Sequence, residues 1–93
     1  MKEWNSMTLN MTYYMRNNCA LCSEGLLQIN LALQELRNVD INLEQVNIDQ
    51  DDQLQEEYMM RIPVLSHEGK IVQEGLIDFV RIYDYIEDYR GNS

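Results

Sequence analysis

The chain has 93 residues, enough for one small domain with a modest core. Hydrophobic residues make up 45% and charged residues 25%, an ordinary balance for a globular domain and not that of a disordered chain. A net charge of -9 argues against nucleic acid and against an anionic membrane surface as partners, and leaves solubility or steering toward a basic protein as its role.

Met1–Asn5 has no basic segment followed by an apolar one, and no apolar run approaches the roughly 20 residues that cross a bilayer. The expected location is the cytoplasm, with residues 1–6 a loose lead-in and Trp4 lying on the surface. Met7 to Met15 partly alternates and is rich in Thr, Tyr and Met, which predicts a strand. Asn17-Asn18 closes it and offers capping side chains. From Cys19 to about Arg37 the period becomes helical. Cys22, Leu26, Ile29, Leu33 and Leu36 mark the buried face, broadened by Leu27 and Leu31.

Ile41 to Ile48 predicts a second strand whose alternation slips between Leu43 and Val46, as burial on both faces at one end allows. Asp49 to Gln53 is an acidic turn rather than a calcium loop, since it lacks the loop's glycine and distal glutamate. Asp51 and Asp52 suit the start of a short helix over Gln53–Met60. Ile62 to Ser66 predicts a strand with Pro63 near its start. His67 to Lys70 is a hairpin turn that leaves His67 solvated, and Ile71 to Glu74 is the return strand. Asp78 to Tyr89 closes the chain as a helix, with residues 90–93 a frayed tail.

This order, strand–helix–strand–helix–strand–strand–helix, predicts a single α/β domain over 1–93. The helix between the first two strands makes them parallel and the last two form an antiparallel hairpin. The result is a mixed four-stranded sheet flanked by helices.

The only two cysteines are Cys19 and Cys22, separated by Ala20-Leu21 at the strand-to-helix junction. A helix N-terminus stabilises a thiolate, so Cys19 is the candidate nucleophile and Cys22 its resolving partner. A disulfide closing so short a loop restricts the unfolded chain little, so stability is a weak reason to have it. A self-contained zinc site needs four ligands, against two cysteines and His67, so no metal is assigned. A metal or cluster shared between two chains remains an alternative.

With Cys19-Ala20-Leu21-Cys22 after the first strand and Arg61-Ile62-Pro63-Val64 downstream, the chain resembles the thioredoxin superfamily, most of all its small glutaredoxin-like members. The resemblance runs from about Thr8 to Asp88. It implies a thioredoxin-like βαβαββα fold and thiol–disulfide exchange through a mixed disulfide. Pro63 matches the family's cis-proline beside the cysteine pair, and Ile62 before it would present its backbone to the substrate. Arg16 matches a basic residue that supports the thiolate and glutathione. Gly75-Leu76-Ile77-Asp78 matches the segment that holds the γ-glutamyl end of glutathione.

The implied partners are a disulfide-containing protein or small-molecule disulfide and a reductant, either glutathione as co-substrate or a reductase. No bound cofactor is implied. The chain departs from the family at Ala20-Leu21, where dithiol glutaredoxins carry proline and tyrosine. It departs again at Glu74, which would repel a glutathione carboxylate. A different class of reading is a non-catalytic binding module of the same fold, whose cysteine pair is inert or regulatory.

Overall fold

The computed structural model describes residues 7–37 and 39–91; the lead-in at 1–6 with Trp4, Asn38 and residues 92–93 lie outside them. The elements in chain order are β1 (Met7–Met15), α1 (Ala20–Glu35), β2 (Val39–Asn47), a 3-10 turn (Ile48–Gln50), α2 (Asp52–Tyr58), β3 (Val64–His67), β4 (Lys70–Glu74) and α3 (Phe79–Gly91). The strands form one sheet in the order β2-β1-β3-β4. β1 and β2 are parallel, while the β1–β3 and β3–β4 pairs are antiparallel. This is the mixed α/β sheet that the element order predicts.

The core lies on the face of the sheet covered by α1 and α3. Leu9, Met11 and Tyr13 alternate along β1 and point into it, as a period of two requires. They meet Ile29 and Ala32 from α1, Leu65 from β3, and Ile82 and Ile86 from α3. The buried face of α1 is Cys22, Gly25, Ile29 and Ala32, followed by Leu36 just past its end. Leu26 and Leu33 sit at its rim. Leu27 and Leu31, expected to broaden it, are 58% and 45% exposed. Two small residues, Gly25 and Ala32, take part in the buried face, and at Gly25 the helix lies close enough to β1 that a Cβ would meet the Tyr13 hydroxyl.

β2 starts two residues earlier than expected because its pairing with β1 begins at Met7↔Val39 and runs without interruption to Met15↔Asn47. It is an edge strand. Val39, Ile41 and Leu43 are half-buried on one face, and the half-buried Val46 lies on the other. The slip in alternation therefore reflects cover on the second face at this end. There Tyr14, which pairs with Val46, stacks on Tyr58 of α2 with ring centroids 4.4 Å apart. Ile48, expected to close the strand, begins the 3-10 turn and is fully buried.

Asp51 caps α2, its carboxylate accepting from the Gln53 and Leu54 N–H groups at 2.8 and 3.2 Å. The hairpin turn is narrower than expected. Glu68 and Gly69 both have positive φ, 51° and 88°, so two residues suffice. His67 is consequently the last residue of β3 and is buried, not solvated in a turn. Its Nδ1 lies 2.7 Å from the Tyr85 hydroxyl, and its ring meets Tyr85 and Tyr89 edge-on. α3 begins at Phe79, with Asp78 as its cap, and runs on through Gly91. No helix among the described residues is long and apolar enough to cross a membrane.

Candidate active site

The cysteine pair stands at the end of β1, where the chain leaves the sheet through Arg16, Asn17 and Asn18. Asn18 adopts the left-handed conformation, φ 57°, which short polar side chains tolerate best. The turn delivers Cys19 in an extended conformation as the N-cap of α1. Neither asparagine serves as the cap. The Cys19 sulfur does so itself, accepting the Cys22 N–H at 3.1 Å. Cys19 is half-buried and Cys22 is 3% exposed, and a disulfide joins them across a Cα–Cα distance of 5.2 Å. Of the two, Cys19 is the more exposed. No acidic residue stands in the first turn of α1 to oppose a negative sulfur.

Behind the pair, the Tyr13 hydroxyl donates to the Cys22 carbonyl at 2.6 Å. Tyr13 is fully buried on β1, and desolvation pushes its phenol up from 10.0 to about 12. Gly25, one turn beyond Cys22, makes the room. A Cβ there would lie 2.4 Å from the Tyr13 hydroxyl and 3.0 Å from Ile77. Sequence reasoning missed both residues. A glycine in the middle of an otherwise good helix former costs about 1 kcal/mol against alanine, and that unexplained cost was the available signal.

The second wall is Ile62-Pro63. The peptide between them is cis and Pro63 is fully buried. Because Tyr14 pairs with Val64, Pro63 lies next to the end of β1 from which the cysteine turn departs. The Ile62 N–H is committed to the Tyr58 carbonyl at 3.0 Å, so the carbonyl is what Ile62 has to offer a partner. Gly75, φ 81°, donates its N–H to the Pro63 carbonyl at 2.8 Å and so joins the proline wall.

A family model covers most of the chain, this site included. The Glutaredoxin-like domain (DUF836) matches residues 10–87. The chain belongs to this family. No curated protein sequence matches it. Among solved structures, the glutaredoxin-like domain is similar to protein XcR50 from X. campestris, at 25% identity and a TM-score of 0.69, over 84% of this chain and 96% of that one. It also superposes on thioredoxin-2 of the malaria parasite (12% identity, TM-score 0.62, 95% and 97% covered). Thioredoxin 1 from Thermosipho africanus superposes too (15%, 0.57, 88% and 94%). These two likenesses show the thioredoxin fold.

Two of the residues that the glutaredoxin resemblance singles out have partners of their own. Arg16 is ion-paired with Asp49 at 2.9 Å, both half-exposed, so its charge is directed to the 3-10 turn after β2. Asp78 caps α3, its carboxylate accepting from the Arg81 N–H at 3.1 Å. The neighbouring donors are also taken. The Asp78 N–H goes to Gln73 Oε1 at 3.0 Å and the Phe79 N–H to Gln28 Oε1 at 2.9 Å. Glu74 is not a bare charge, because Arg61 holds it at 2.8 Å and keeps its carboxyl below the ordinary range. Arg61 in turn lies over the Tyr58 ring, 5.2 Å from its centroid. Together these contacts tie α2, the proline loop and the end of β4 into one wall.

Proposed function

We propose that this glutaredoxin-like domain is a thiol–disulfide oxidoreductase working through the Cys19/Cys22 dithiol. The observation that supports it most is the asymmetry of the pair, a half-buried N-cap cysteine beside a buried one. In the reduced protein the Cys19 thiolate attacks a substrate disulfide and a mixed disulfide forms, releasing one substrate thiolate. Cys22 loses its proton to solvent and attacks Cys19 Sγ, and the second substrate sulfur leaves. The protein ends with its Cys19–Cys22 disulfide and the substrate with two thiols.

The substrate is a disulfide-bearing protein or small molecule, approaching beside Pro63 and the Ile62 carbonyl. The internal commitment of the Asp78 and Phe79 N–H groups favours a dithiol reductant over glutathione, because these donors at the start of α3 are already spent. A cytoplasmic setting suits a pair that must be reduced again after each turnover.

Turnover of a peptide disulfide in the presence of a dithiol reductant tests this reading. Wild type is expected to turn over and Cys19→Ser to fall to background, with an unchanged circular dichroism spectrum. An active Cys19→Ser protein would contradict the proposal, as would an inactive wild type. The inert binding module would then be the better account.

A further inference from the structure

We infer that Tyr13 is a positioning residue for the resolving step, holding Cys22 at a fixed depth through its carbonyl. The inference rests on the dithiol-exchange reading above and assigns a role to a residue outside the cysteine motif. The Tyr13 hydroxyl reaches the Cys22 carbonyl at 2.6 Å, a short hydrogen bond made in the buried space between β1 and α1. The contact does not involve either sulfur. Opening the disulfide therefore removes neither its donor nor its acceptor.

The first turn of a helix is its least constrained part, since its leading N–H groups have no intrahelical partners. In the mixed disulfide a substrate hangs from Cys19, and Cys22 must still line up behind Cys19 Sγ. A strand-borne hydroxyl anchored to the Cys22 carbonyl keeps that line. Gly25 is the complement to Tyr13, because any Cβ there would collide with the hydroxyl at 2.4 Å. The hydroxyl also keeps its proton well past the free-cysteine value of about 8.5, since burial raises it to about 12. It is a donor in every redox state.

Single-turnover reaction of the fully reduced protein with dipyridyl disulfide separates the two steps. Attack by the Cys19 thiolate forms the Cys19–pyridyl mixed disulfide and releases one thiopyridone. Attack by Cys22 on Cys19 Sγ forms the protein disulfide and releases the second. Two thiols are oxidised, the reagent is reduced, and the two thiol protons end on the two thiopyridones.

Wild type is expected to show both phases. Tyr13→Phe is expected to slow the second by about tenfold, the size of one hydrogen bond, with the first within about twofold of wild type. Gly25→Ala is expected to show the same split, since it displaces the hydroxyl. A Tyr13→Phe protein with both phases unchanged, or both slowed alike, would overturn the inference. So would a Gly25→Ala protein with an intact second phase, or a Tyr13→Phe protein that no longer folds when oxidised, which would make the hydroxyl a fold determinant. A wild type that lacks the second phase would instead remove the exchange reading itself.

Discussion

A sulfur at an N-cap sits where free N–H groups converge, and Cys19 holds that place at the head of a 16-residue helix. Three residues on, Cys22 is buried, so the same turn gives two chemically identical side chains different exposure. Tyr13 adds a titration that can be followed. Its phenol is raised in the folded protein, so the folded state holds this proton more tightly than the unfolded one. The resulting stability is fully present below pH 10.0 and is lost as the pH rises toward about 12.

In alkaline unfolding, wild type is therefore expected to lose stability over that window more steeply than Tyr13→Phe; equal slopes would contradict a desolvated phenol. The cysteines were legible in the sequence because spacing and position carry their chemistry. Tyr13 and Gly25 were not, because their meeting depends on how closely α1 lies on β1, which no local pattern encodes.

Among the elements, α1 shows best where periodicity informs and where it misleads. Its hydrophobic period correctly marks a helix, yet large apolar residues run most of the way around it, and the sequence pattern favours the biggest. The face that is buried contains Gly25 and Ala32, which a hydrophobicity count passes over. Unfolding by urea separates the two faces. Ile29→Ala, at a site 2% exposed, is expected to cost about 2–5 kcal/mol through lost burial and a cavity. Leu27→Ala, at a site 58% exposed, is expected to stay within about 0.5 kcal/mol. The reverse ranking would mean that the broader expected face is the real one.

His67 shows the same limit in a strand. A turn signal over four residues does not say which two will turn, and the positive φ at both Glu68 and Gly69 draws His67 into the sheet. There its Nδ1 contacts the Tyr85 hydroxyl, a partner eighteen residues away in sequence.

On the scale of the whole molecule, the order of elements was enough to specify the strand directions within the two consecutive pairs, though not that β1 lies beside β3. A long helix between two strands makes them parallel, and a tight turn makes the last pair antiparallel. The second wall of the site was legible only through the family resemblance, since nothing local in Ile62-Pro63 brings it beside residues forty positions earlier. The partners of Arg16 and Glu74 were not legible, because each is made by an element distant in sequence.

The overall charge of -9 works against any negative group on the chain, a thiolate included. The N-terminus of α1 and the N–H donated to the Cys19 sulfur work in the other direction. Which prevails decides whether this is an exchange catalyst. The pH dependence of Cys19 alkylation in the fully reduced protein, with the adduct located by mass spectrometry, measures that balance directly. A midpoint well below the free-cysteine value of about 8.5 is expected. A midpoint at or above about 8.5 would contradict an activated Cys19 and, with it, the account of the site.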